Sequence, residues 1–168
     1  MSEKKILIKP QKFEYSGLFI MKEFYHIIDS WLKENGYEKE EKKVREKVHE
    51  NGKDIKIKYE PYKRLNEFTK YVLKTEITVR NMISLQLEEE GKPKKFNKGD
   101  IEIEIEGIKL ADTEGHWENK PFYFFLRTIF HKFIIKDEEG RMDDLFKKDF
   151  ESYKREILDY LNMHKFIE

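Results

Sequence analysis

Five basic side chains, Lys43, Arg45, Lys47, Lys56 and Lys58, fall on one side of a predicted hairpin. Two extended stretches, 42–50 and 54–60, flank Asn51-Gly52, the strongest short hairpin signal because a type I′ turn needs positive φ at both central residues. A two-residue loop there sets Val48 against Ile55, Lys47 against Lys56 and Arg45 against Lys58. One face then carries Val44, Val48, Ile55, Ile57 and Tyr59, and the other carries the five cations. Like charges directly opposite are unfavourable, so something must compensate them. Glu76 or the row Glu102, Glu104 and Glu106 would do so from within the chain. A polyanion such as nucleic acid would do so from outside. No ring interleaves with the cations to stack on bases, which counts against single-strand recognition.

A second chemistry is apolar. Tyr71, Ile77, Val79 and Ile103 lie on the dry side of predicted strands, and Phe125 and Ile129 lie on a ring-rich predicted helix. Facing one another, these six would wall a site for an apolar or aromatic small molecule. The competing expectation is a filled core, since interiors pack without sizeable voids. A third is aromatic docking through Trp117, Phe122, Tyr123 and Phe166, either to a partner protein or to a second copy in a homodimer.

Other reactive types give less. His26, His49, His116, His131 and His164 show no zinc-ligand spacing, and the loop that gathers Glu114, His116 and Glu118 reads as solvated. Ser16, Ser30, Ser84 and Ser152 sit in no nucleophile motif, and Gly99 and Gly107 stand alone rather than in a phosphate cradle. Asp143-Asp144 reads as helix-start charge. There is no cysteine, which removes thiolate ligands, a thiol nucleophile and disulfides. The expectation is a protein that binds rather than catalyses, with no cofactor and no metal: first an apolar or aromatic small molecule between sheet and helices, with a polyanion on the basic hairpin face as the alternative and a protein-interaction module or homodimer after it.

The elements that must hold these residues are read from periodicity. Residues 71–87 alternate, with Tyr71, Leu73, Thr75, Ile77 and Val79 on the dry side, and their length calls for a bend near Asn81. Residues 100–110 alternate likewise, with Ile101, Ile103 and Ile105 opposed to the three glutamates, until the phase changes at Gly107 and suggests a bulge there. Lys5–Lys9 reads as a short strand that Pro10 ends or confines to an edge. Ser16 is the expected N-cap of a helix reaching Asn35, with Gly36 as its left-handed stop. Residues 61–66 read as a connector and 88–99 as a charged loop. A second helix is expected from Asn119 or Lys120 to Ile135, and residues 136–140 should break it. A third starts near Asp143, with Phe146, Phe150, Tyr153, Ile157 and Leu161 on one face.

The order β-α-β-β-β-β-α-α makes an antiparallel sheet of about four or five strands with one dry face, which helices must cover. The fold class is α+β, one two-layer domain over residues 1–168. The order resembles that of helix-grip ligand-binding domains, and the resemblance implies a curved sheet around a long C-terminal helix and a cavity. Thirty-four basic residues balance thirty-four acidic ones, so any attraction to nucleic acid or membrane must come from a local patch. The lean toward Lys and Glu matches the bias of thermophile proteins. No apolar run is long enough to span a membrane. The polar start at Met1 is no signal peptide, so a cytoplasmic location is the default expectation.

Overall fold

Residues 71–79 are extended and alternate as their side chains require. Tyr71, Leu73, Thr75, Ile77 and Val79 are buried, while Lys74, Glu76 and Thr78 are partly exposed. They belong to β5 (Thr69–Glu89) in a computed structural model that describes residues 2–39, 43–112 and 136–164. The other elements are β1 (Ser2–Phe19), α1 (Met21–Glu34), β2 (Lys43–His49), β3 (Gly52–Tyr59), β4 (Tyr62–Arg64), β6 (Lys92–Asp112) and α2 (Lys136–His164). The six strands form one antiparallel sheet in the order β1-β6-β5-β3-β2, with β4 paired to the start of β5. Both helices lie on the dry face, so the fold is α+β with two layers. The extra strand is β4, which arises inside the expected connector. No described helix is long and apolar enough to cross a membrane.

The layers meet through rings and branched side chains. Ile55, Ile57 and Tyr59 of β3, Tyr71, Leu73, Ile77 and Val79 of β5 and Ile101, Ile103 and Ile105 of β6 pack on Phe24, Ile28, Trp31 and Leu32 of α1 and on Phe146, Phe150, Tyr153, Ile157 and Leu161 of α2. All five expected core positions of α2 are buried. Trp31 meets Tyr153 edge-on at 5.0 Å between centroids and donates its indole N–H to Ser152 Oγ at 3.0 Å. Thr75 spends its proton on the Leu73 carbonyl, so Tyr153 is the donor in their 3.0 Å contact, and Tyr59 donates to Tyr153. Burial pushes the Tyr153 phenol up to about 12. No described buried side-chain N or O atom lacks a partner, as a sealed interior requires.

Two Tyr–Asp pairs tie α2 to the rest. Tyr71 donates to Asp143 at 2.5 Å while Lys109 reaches the same oxygen at 3.1 Å. Tyr37 donates to Asp149 at 2.9 Å. Asp143 is thus an inter-layer partner, not simply helix-start charge. The helix itself begins earlier than expected, and residues 136–140 form its first turns rather than a break. Gly140 is tolerated there, at a cost of about 1 kcal/mol relative to Ala.

Several expected boundaries are corrected. Residues 16–19 are strand, not helix: Ser16 pairs with Asp100 and donates to its carboxylate at 2.7 Å. The first turn of α1 is instead served from a distance, as Met21 N–H donates to Asn97 Oδ1 at 3.0 Å and Ile20 N–H to Tyr160 Oη at 3.0 Å. The helix stops as expected. Gly36 takes φ +76, and the bonds Gly36 N–H to Lys33 O and Tyr37 N–H to Leu32 O close it. Of the two expectations for Pro10 the edge position holds: β1 is an edge strand that continues past the proline, with register shifts between Ile6 and Gln11. β6 keeps unbroken register with β5 through Gly107, and the irregularity expected at this glycine falls on its other side, where the register with β1 shifts on either side of the Ile8–Gly107 pair. Gly107 is small because Phe146 and Ile8 fill the space where a Cβ would sit, at 2.9 and 3.1 Å. Ile108 therefore stays on the outer face opposite Val72, and both are buried there outside the main core. Residues 88–99 are not a loop: Glu90 and Gly91, both at positive φ, turn β5 directly into β6.

The candidate binding face on the hairpin

The β2–β3 hairpin forms, but with a different turn. His49 pairs with Gly52, so Glu50 and Asn51 are the loop and Gly52 is the first residue of β3. Each β2 residue faces one two places earlier than the Asn-Gly turn implied. Arg45 lies opposite Lys56, Lys43 opposite Lys58 and Lys47 opposite Asp54. A displacement of two keeps every side chain on its face, so the five cations still share the outer side.

The cause lies in β5. Its bulge falls at Asn81 (φ +56), where the register shifts between Arg80 and Ile83. Asp54 caps this bulge, accepting from Asn81 N–H at 2.9 Å and contacting His49 Nε2 at 3.0 Å. The Asn81 hydrogen bond, then His49, holds the Asp54 carboxyl below its usual range. Gly52 sits against the same bulge at φ +138, where a Cβ would lie 2.8 Å from the Met82 carbonyl oxygen. Glycine is therefore used for close approach to β5. Gly52→Ala is expected to lower stability by about 1–3 kcal/mol, because the obstacle is backbone and cannot swing away. A shifted denaturation midpoint at unchanged slope would show it; an unchanged midpoint would contradict the approach.

Charge on the outer face is graded from edge to edge. Lys56 reaches Glu76 at 3.0 Å and Lys58 reaches its other oxygen at 4.0 Å. Glu102 is engaged elsewhere, with Arg80 at 3.6 Å and Lys12 at 3.7 Å, and Glu104 stands opposite Glu76. Among the described residues, Lys43, Arg45 and Lys47 have no ion-pair partner. The hydrogen bond from Lys56, above all, holds the Glu76 carboxyl below its ordinary value. A depressed carboxyl stabilises the fold above its unfolded value and loses that contribution as pH falls through its folded one. Melting temperature should therefore drop on acidification, and Glu76→Gln should flatten part of that drop while costing under about 1 kcal/mol at neutral pH. Identical pH profiles for the two proteins would refute the pairing.

The opposite face of β2 is also open. The helices cover β3, where Ile55, Ile57 and Tyr59 are buried, but no β2 residue belongs to that buried core, and α1 comes near β2 through Tyr25, whose phenol feels the Glu46 carboxylate. Val44 is 46% exposed and Val48 is 77% exposed. Glu46, between them, pairs with Lys53 at 3.2 Å. Among the described strands it is the last in the sheet, and six of its seven residues are exposed. Neither fact follows from the sequence pattern, which showed two valines alternating with cations and nothing of how far the helices reach.

The expected apolar site is brought together in part. Tyr71, Ile77, Val79 and Ile103 are all buried between sheet and helices, with Ile77 opposite Ile103 and Tyr71 stacked on Phe146 at 4.9 Å. Phe125 and Ile129 lie outside the described residues, as do the expected helix to Ile135, the Glu114–Glu118 loop and the docking rings Trp117, Phe122, Tyr123 and Phe166. Among the described residues no three His, Asp or Glu side chains are grouped to hold a metal ion. Comparison with protein-family models, curated proteins and solved structures finds no match to this chain.

Proposed function

We propose that this chain is a non-catalytic binding domain whose contact face is the outer side of β2 and β3 and whose partner is anionic. One observation supports this above the others: Lys43, Arg45 and Lys47 lie side by side without a carboxylate partner among the described residues, next to Lys56 and Lys58, which share a single glutamate. Like charges held on a rigid ladder are costly unless a counter-charge is supplied, and an external anion supplies it. The test is titration of a labelled single-stranded oligonucleotide and of polyglutamate at low and moderate salt. Three neutralised phosphates would make log K fall with log salt at a slope of about −2. The double variant Arg45→Glu, Lys47→Glu should abolish binding and leave the melt intact, since both side chains are exposed. Absence of binding to every anion at low salt would end this reading.

A second reading, an apolar small molecule held between sheet and helices, draws support from the convergence of Tyr71, Ile77, Val79 and Ile103 on one interface. Its test is a screen of apolar and aromatic ligands by thermal shift. A stabilisation that Ile77→Ala removes would favour it.

A further inference from the structure

The open edge of β2 narrows the anionic partner to one kind of molecule. Resting on the anionic-partner reading above, we propose that β2 docks an extended segment of a partner protein, which adds to the sheet as a further strand with carboxylates at every second position and apolar side chains between them. Three features of β2 converge on this. Among the described strands it ends the sheet, so its outward N–H and C=O groups have no ladder partner there. It is in register with β3 over its whole length, from Lys43 to His49, without proline or bulge. The other edge strand, β1, carries both, and those features blunt an edge against pairing. Its two faces also ask for different things. Lys43, Arg45 and Lys47 call for carboxylates on one side, and the exposed Val44 and Val48 call for apolar cover on the other. Directly opposed side chains on one face stand about 5 Å apart at Cβ, which brings a glutamate in the added strand within ion-pair reach of each cation. Main-chain bonds then supply affinity and the alternating side chains supply selectivity.

Edge lysines also serve to prevent association, and here they do so against one partner in particular. A second copy pairing symmetrically through β2 would set Arg45 against Lys47, or Arg45 against itself and Lys43 against Lys47. Every such register opposes cation to cation. The edge thus rejects its own kind while matching an acidic strand. The acid–apolar alternation it calls for occurs within this chain at Ile101–Glu106, but that stretch is already paired on both sides, with β1 and β5. The occupant is therefore another protein.

The experiment uses the full chain and three probes: a peptide of alternating Glu and Val, the same peptide N-methylated at every residue, and a single-stranded oligonucleotide. The alternating peptide should bind. N-methylation removes the donors of the added strand while keeping its charge, and should weaken binding about tenfold or more, the worth of two or three hydrogen bonds. The double variant Arg45→Glu, Lys47→Glu should weaken the parent peptide at least as much. Equal binding of parent and methylated peptides would overturn strand addition and leave a basic face that reads charge alone. Binding of the oligonucleotide but of neither peptide would overturn it in favour of nucleic acid. Binding of no probe at low salt would remove both this inference and the anionic reading.

Discussion

Ile77→Asp is expected to abolish cooperative unfolding at ordinary temperatures. Ile77 is fully buried in the middle of β5, between Ile57 on β3 and Ile103 on β6. A carboxylate there would lose its water and find no cation, because its cross-strand neighbours on that face are two isoleucines. Burying an unpaired charge is among the few mechanisms that exceed about 4–5 kcal/mol, and a domain of this size holds about 5–15 kcal/mol in total. The circular-dichroism melt of the variant should lack a sharp transition. A melt matching the parent would mean that residues 71–79 present their other face to the helices, and the outer basic face would be lost with that assignment.

Tyr153→Ala should be nearly as severe. The ring is 1% exposed, meets Trp31 edge-on, and its hydroxyl joins Tyr59 to Thr75. Large-to-small changes at buried rings cost about 3–5 kcal/mol through lost contacts and the remaining cavity. Tyr153→Phe keeps the ring and removes one link of the relay. Tyr59 then loses its acceptor, at a cost of about 1–3 kcal/mol. The separation between the two variants, read from denaturant midpoints, divides packing from hydrogen bonding. Equal losses would show that the hydroxyl relay dominates and the ring contributes little.

These two sites were readable from the chain alone because each lies on a long, regular stretch. The alternation from Tyr71 to Val79 and the helical spacing from Phe146 to Leu161 depend on neighbours close in sequence, and both hold in the fold. The asparagine at the bend of β5 was readable for the same reason. The start of α1 was not, because its first amides are met by Asn97 and Tyr160, distant residues that leave no local signature. The first part of β6 was hidden because Lys92, Pro93, Lys94 and Lys95 are exposed on both faces, so no apolar period marks them as strand. The hairpin turn was misplaced because a tertiary contact, Gly52 against the Asn81 bulge, outranked the local Asn-Gly preference. The basic face survived that error because the slip was even. The openness of Val44 and Val48 depends on where the helical layer ends, which no period within β2 encodes.

Past the bulge at Asn81, β5 and β6 keep pairing down to Glu89 and Lys92, whereas β3 leaves at Met82 and β1 at Asn97. Among the described strands, the outer part of this ribbon has no third neighbour. One continuous pair of strands thus spans two regimes. Its root, locked in the interior, gives up its amide protons to deuterium only when the whole molecule opens, while its tip can unzip and exchange alone.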